Sequence, residues 1–67
     1  MINTNALRGI ISEKGTSGAK VAEQLGITPK TFYDKMKKGV FGSDEIDMMI
    51  QILEIKDPMP IFFMRNE

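Results

Sequence analysis

The sequence predicts an all-α fold, on three observations. Apolar residues recur at helical spacing in four successive stretches. Each stretch follows a residue that caps helices well: Asn3, Ser17, Thr28 and Ser43. Glycines stand where the first three stretches stop, at Gly15, Gly26 and Gly39.

The first helix is expected over residues 3–14. Leu7, Ile10 and Ile11 give its i, i+3, i+4 stripe. With Asn3 as N-cap, Ile2 falls at N′ and Leu7 at N4, the spacing of a hydrophobic staple. Gly15 suits the left-handed C′ position. Gly9, in the interior, costs about 1 kcal/mol against alanine.

Ser17 caps a second helix running to about Leu25, with Val21, Ala22 and Leu25 on one face. Ala22 is small enough to let another helix approach. Gly26 ends the helix and Ile27 turns back inward.

Thr28 then caps a third helix, about 28–38, with Pro29 at N1, where its missing N–H is no loss. Ile27 and Phe32 form a second staple. Phe32 and Met36 set the inward direction. Lys30, Asp34 and Lys37 lie opposite, with Thr31 and Lys38 on one flank and Tyr33 on the other. Only Gly26 and Ile27 separate the second helix from the cap of the third. So short a link fixes the crossing angle and makes a helix-turn-helix unit.

Val40, Phe41 and Gly42 form a loop, with Phe41 over the core. Ser43 caps a fourth helix, and Asp44 and Glu45 in its first turn favour the helix dipole. Ile46, Met49, Ile50 and Leu53 form its core stripe. Met48, Ile52 and Ile55 form another on roughly the opposite side, so this helix is covered on two sides. Asp57-Pro58 starts a turn or a short final helix. Part of Pro60, Ile61, Phe62 and Phe63 folds back on the fourth helix, and part is left for a partner. Residues 64–67 are expected to fray.

Sixty-seven residues bound the chain to one domain, 1–67, with a small core. A chain of this size buries only about 60% of its unfolded surface. It contains no cysteine and no histidine, which excludes disulfides and ordinary zinc sites. No apolar run approaches the roughly 20 residues that span a membrane, and the N-terminus has no secretory pattern. A soluble cytoplasmic protein is expected, with no cofactor, no membrane partner and no small-molecule ligand. Enzyme chemistry finds no constellation. Ser12, Ser17 and Ser43 have no activating base, and Asp44, Glu45 and Asp47 read as dipole partners.

The formal net charge is zero, yet the charges are segregated. Residues 1–42 carry seven Lys/Arg against three Asp/Glu, a net +4; residues 43–67 carry two against six, a net −4. The basic half suits a polyanion. On the third helix, lysine can donate to guanine O6 and N7, aspartate can accept from cytosine N4, and the Thr31 methyl can touch thymine. Lys35, Lys37 and Lys38 suit phosphates. The N-termini of helices two and three, with the Ser17 and Thr28 hydroxyls, offer donors to phosphate oxygens. The plainer alternative is that Lys30–Asp34 and Asp34–Lys38 are ordinary i, i+4 pairs worth about 0.2–0.5 kcal/mol each. The stripe of Met48, Ile52 and Ile55 has two readings as well: contact with the chain's own C-terminal end, or a homodimer seam joined by Phe62, Phe63 and Met64.

The stretch SGAKVAEQLGITPKTFYDKM, Ser17 to Met36, resembles the helix-turn-helix of the phage Cro and repressor family, also called the XRE family. Val21, Ala22, Leu25, Gly26, Ile27 and Phe32 carry the likeness. The continuation from Ser43 through Ile55 to Asp57-Pro58 and Ile61–Phe63 is similar to the later helices of small Cro-like prophage proteins of Gram-positive bacteria. The resemblance implies a compact five-helix, lambda-repressor-like domain that binds double-stranded operator DNA, usually as a dimer. It implies base contacts at Pro29, Lys30, Thr31, Tyr33 and Asp34. It implies phosphate contacts at Ser17, Gly18 and Thr28 and at the nearby lysines Lys20, Lys35, Lys37 and Lys38. The chain departs from the pattern at Gly18, where many members carry a phosphate-holding glutamine. It departs again at Lys35, a position often apolar, whose packing Met36 takes over. Its zero net charge is a third departure.

Overall fold

The computed structural model describes residues 2–63. Five helical elements follow one another: α1 (Thr4–Glu13), α2 (Gly18–Leu25), α3 (Pro29–Lys38), α4 (Ser43–Ile52) and α5 (Met59–Phe63), the last a single π-type turn. No strand occurs among the described residues. The fold is all-α, as the stripes predict.

The caps explain most boundaries. The Asn3 side chain accepts from the Ala6 N–H at 3.1 Å and opens α1. Gly15, Gly26 and Gly39 each take a left-handed conformation, with φ of 70°, 79° and 72°. In that region a Cβ is costly, so glycine is the residue that stops each helix cheaply.

Two boundaries differ from expectation. The N-cap of α4 is Gly42, and Ser43 is already helical. The reason lies three residues on, where the Glu45 carboxylate accepts from the Gly42 N–H at 2.8 Å. This is the return half of a capping box, and it sets the start of the helix without a hydroxyl. α4 also ends earlier than its second stripe suggests. Leu53 is the C-cap and Glu54 adopts φ 52°, the one left-handed non-glycine among the described residues. The Ile55 N–H then donates back to the Ile50 carbonyl at 2.9 Å, closing the helix as a glycine would.

Every helix contributes to one core. Leu7, Val21, Ala22, Phe32 and Met49 are fully buried, with Leu53 almost so, and Ile2, Ile11, Met36, Phe41, Ile61 and Phe62 complete it. No polar or charged residue is buried among them. The N-terminal segment ties distant parts together. The Ile2 N–H donates to the Gly39 carbonyl at 3.2 Å, and the Asn3 N–H to the Ile61 carbonyl at 2.7 Å. The start of the chain is thereby joined to the end of α3 and to α5. The expected frayed segment, 64–67, lies outside the described residues.

Candidate nucleic-acid interface

α2 and α3 form the unit on which a nucleic-acid interface would be built. Ser17 is extended (φ −139°, ψ 162°), and its side chain accepts from the Lys20 N–H at 3.2 Å. At the other end of α2, the Gly26 N–H reaches the carbonyls of Ala22 and Glu23, and the Ile27 N–H returns to Ala22 at 3.0 Å. This doubled closure makes the two-residue link stiff. Thr28 follows at once (φ −75°, ψ 154°). Its Oγ1 accepts from the Thr31 N–H at 3.2 Å and donates to the Thr31 hydroxyl at 2.9 Å. Pro29 sits at the start of α3, as its lack of an N–H allows.

α3 is held in place through Phe32. Its ring lies edge-on to Tyr33 (centroids 5.6 Å apart, 80° between planes) and tilted against Phe41 (5.5 Å, 52°). With Phe32 and Met36 inward, the opposite face is open. Pro29, Lys30, Thr31, Asp34, Lys37 and Lys38 are all exposed, and Tyr33 is half-exposed. Ser17, Lys20 and Thr28 are exposed beside them. The structure thus leaves most of the expected DNA-contacting residues exposed on or beside α2 and α3.

Three of those residues have more particular settings. Lys35 is tied down: its Nζ donates to the Glu45 carboxylate at 2.6 Å, where the two side chains are 34% and 12% exposed. It therefore joins α3 to α4. The signal was available in sequence as a lysine at an otherwise apolar position, but its partner ten residues on was not. Asp34 pairs with Lys30 at 3.4 Å, both well exposed, whereas the expected pairing with Lys38 is not formed. Gly18 lies under the Tyr33 ring. A Cβ at residue 18 would sit 2.6 Å from the Tyr33 hydroxyl and 2.8 Å from its ring carbons. The space left by the missing side chain is filled from the third helix.

The expected seam residues divide. Met48 and Phe63 are exposed, at 42% and 53%. Ile52 and Ile55 are half-buried against the chain's own core. Phe62 is only 6% exposed and belongs to that core, because the π-type turn directs it inward with Ile61. Val40 and Met59 are exposed apolar residues that periodicity does not flag, since neither lies in a stripe. Met64 lies outside the described residues.

Residues 18–39, which span α2, the turn, α3 and Gly39, match the family model described as Bacterial regulatory protein, Fis family. The matched stretch is about a third of the chain. No curated protein and no solved structure matches. The match supports a DNA-binding transcription regulator of the bacterial helix-turn-helix kind. Among the described residues, no helix is long and apolar enough to cross a membrane.

Proposed function

We propose that this protein is a sequence-specific regulator of transcription that binds double-stranded DNA, a repressor of the Cro kind from a phage or mobile element, and that it occupies its operator as a dimer. The observation that carries the reading is the capped α2–turn–α3 unit with a basic, polar face turned away from the core. The Fis-family match over the same residues supports its DNA-binding part. α3 enters the major groove. Lys30, Thr31 and Asp34 face base edges, with Pro29 at the margin. Ser17, Gly18, Thr28, Lys20, Lys37 and Lys38 meet phosphates and fix the register. A single small module touches few base pairs, so two copies would read half-sites about one helical turn apart. Met48 and Phe63 are the exposed members of the seam.

Selection of bound sites from random duplexes tests this reading. A preferred site should emerge, with affinity falling steeply with salt. Lys30→Ala and Lys37→Ala should each weaken binding. A protein that holds no duplex even at low salt would sink the proposal.

The exposed apolar residues Val40, Met48, Met59 and Phe63 favour a second reading: a protein-interaction module on the same fold, such as an antirepressor or assembly factor. That reading wins if Met48→Lys abolishes partner binding while changes between Lys30 and Lys38 have no effect.

A further inference from the structure

Between α1 and the helix-turn-helix lies an open groove of about 430 Å³. Its apolar floor is Ile11 and Met36, both buried. Arg8, Ser12 and Thr16 line it from α1 and the loop that follows; Gly18 and Tyr33 line it from α2 and α3. No carboxylate is among the lining residues. Arg8 forms no ion pair among the described residues, and the hydroxyls of Ser12, Thr16 and Tyr33 make no hydrogen bond there. One guanidinium and three uncommitted hydroxyls around an apolar floor suit a singly charged oxyanion. Arginine in particular matches the geometry of a phosphate.

We infer that this groove is a phosphate site, which extends the DNA-binding surface onto α1 and takes one phosphodiester group of the duplex backbone. The inference rests on the DNA reading above, because the groove is continuous with that face through Gly18 and Tyr33. The close fit of Tyr33 over Gly18 carries the argument. It draws the tyrosine hydroxyl back from the α3 tip to the start of α2, beside the groove and away from base edges. Tyr33 is then a backbone contact that serves every sequence alike. Arg8 adds a cation that the α3 lysines do not supply.

The test is the salt dependence of binding for Arg8→Ala, Arg8→Lys and Tyr33→Phe, on a selected duplex and on an unrelated one. Arg8 is exposed, so its variants should fold, and circular dichroism checks this. Losing one phosphate contact should reduce the slope of log affinity against log salt by about 0.9. Arg8→Ala should show that reduction, with equal weakening on both duplexes, and Arg8→Lys should restore the slope. Tyr33→Phe should weaken both duplexes by one factor and leave the slope alone. If Arg8→Ala keeps the full slope while Lys37→Ala lowers it, the groove is not a DNA site and the regulator reading stands. A selective loss on the preferred duplex in Tyr33→Phe makes the tyrosine a base reader and overturns its role here. If inorganic phosphate shifts the Ser12 and Thr16 amide resonances and duplex does not, the groove holds small anions and the inference falls. A wild-type protein that binds no duplex removes both readings together.

Discussion

Replacing Lys35 with methionine tests whether α3 is positioned by its ion pair. Methionine keeps an unbranched apolar stem of nearly the same length and removes the charge. Glu45 is then left 12% exposed without its 2.6 Å partner, though it still accepts from the Gly42 N–H. Breaking a fully buried pair costs about 3–5 kcal/mol, and an exposed pair is worth about 0–1. Lys35 is a third exposed, which screens the interaction, so the loss should be about 1–2 kcal/mol. For a domain of this size each kcal/mol shifts Tm by about 4–8 °C. The melting temperature should therefore drop by roughly 4–16 °C. Glu45→Gln keeps an acceptor for Gly42 and removes only the charge. A urea-denaturation cycle of the two single variants and the double should give a coupling of about 1 kcal/mol, the value for neighbours that interact directly. DNA titration adds an independent readout. Lys35→Met should leave the salt slope unchanged, while Lys37→Ala lowers it by about 0.9. A coupling indistinguishable from zero, together with a slope that falls as it does for Lys37, would show that Lys35 is a phosphate contact and that the ion pair holds nothing in place.

Glu54→Gly should stabilise the protein by about 0.5–1 kcal/mol, since glycine adopts φ 52° without the left-handed penalty and the 3.8 Å pair with Lys14 is largely exposed. The urea midpoint should rise with the m-value unchanged. Thr28→Ala removes the side-chain cap of α3 and should cost about 1 kcal/mol by the same measurement. Gly18→Ala should change stability by less than about 1 kcal/mol, because the tip of Tyr33 can swing aside and alanine favours a helix. Its mark is elsewhere: Tyr33 is the only tyrosine and there is no tryptophan, so the intrinsic fluorescence should change. An unaltered spectrum would mean that the ring does not rest on Gly18.

The fold was legible where local chemistry settles it. Asn3, Ser17, Thr28 and the three left-handed glycines act through bonds within a few residues, and periodicity identifies Leu7, Val21, Phe32 and Met49 as inward. What could not be read depends on residues brought together by the turns. Glu45 looks like a first-turn acid, and only the folded chain places it against Lys35 and turns Gly42 into a cap. Asp34 had two lysines within helical reach, and spacing alone does not choose between them. Phe62 and Phe63 are adjacent aromatics, and the π-type turn decides that the first goes inward and the second outward. The groove beside Arg8 has no signal in the sequence, because its walls come from three separate helices.

The bonds from Ile2 to Gly39 and from Asn3 to Ile61 also bear on the order of events during synthesis. α2, the turn and α3 are contiguous, so they can collapse on each other as soon as they leave the ribosome. The Asn3 bond spans almost the whole described chain, and closing so long a loop precedes any gain from the contact. α1 can wind early, but the Asn3 bond at its start waits until Ile61 has been made. The helix-turn-helix can thus form before the N-terminal segment is docked on α5.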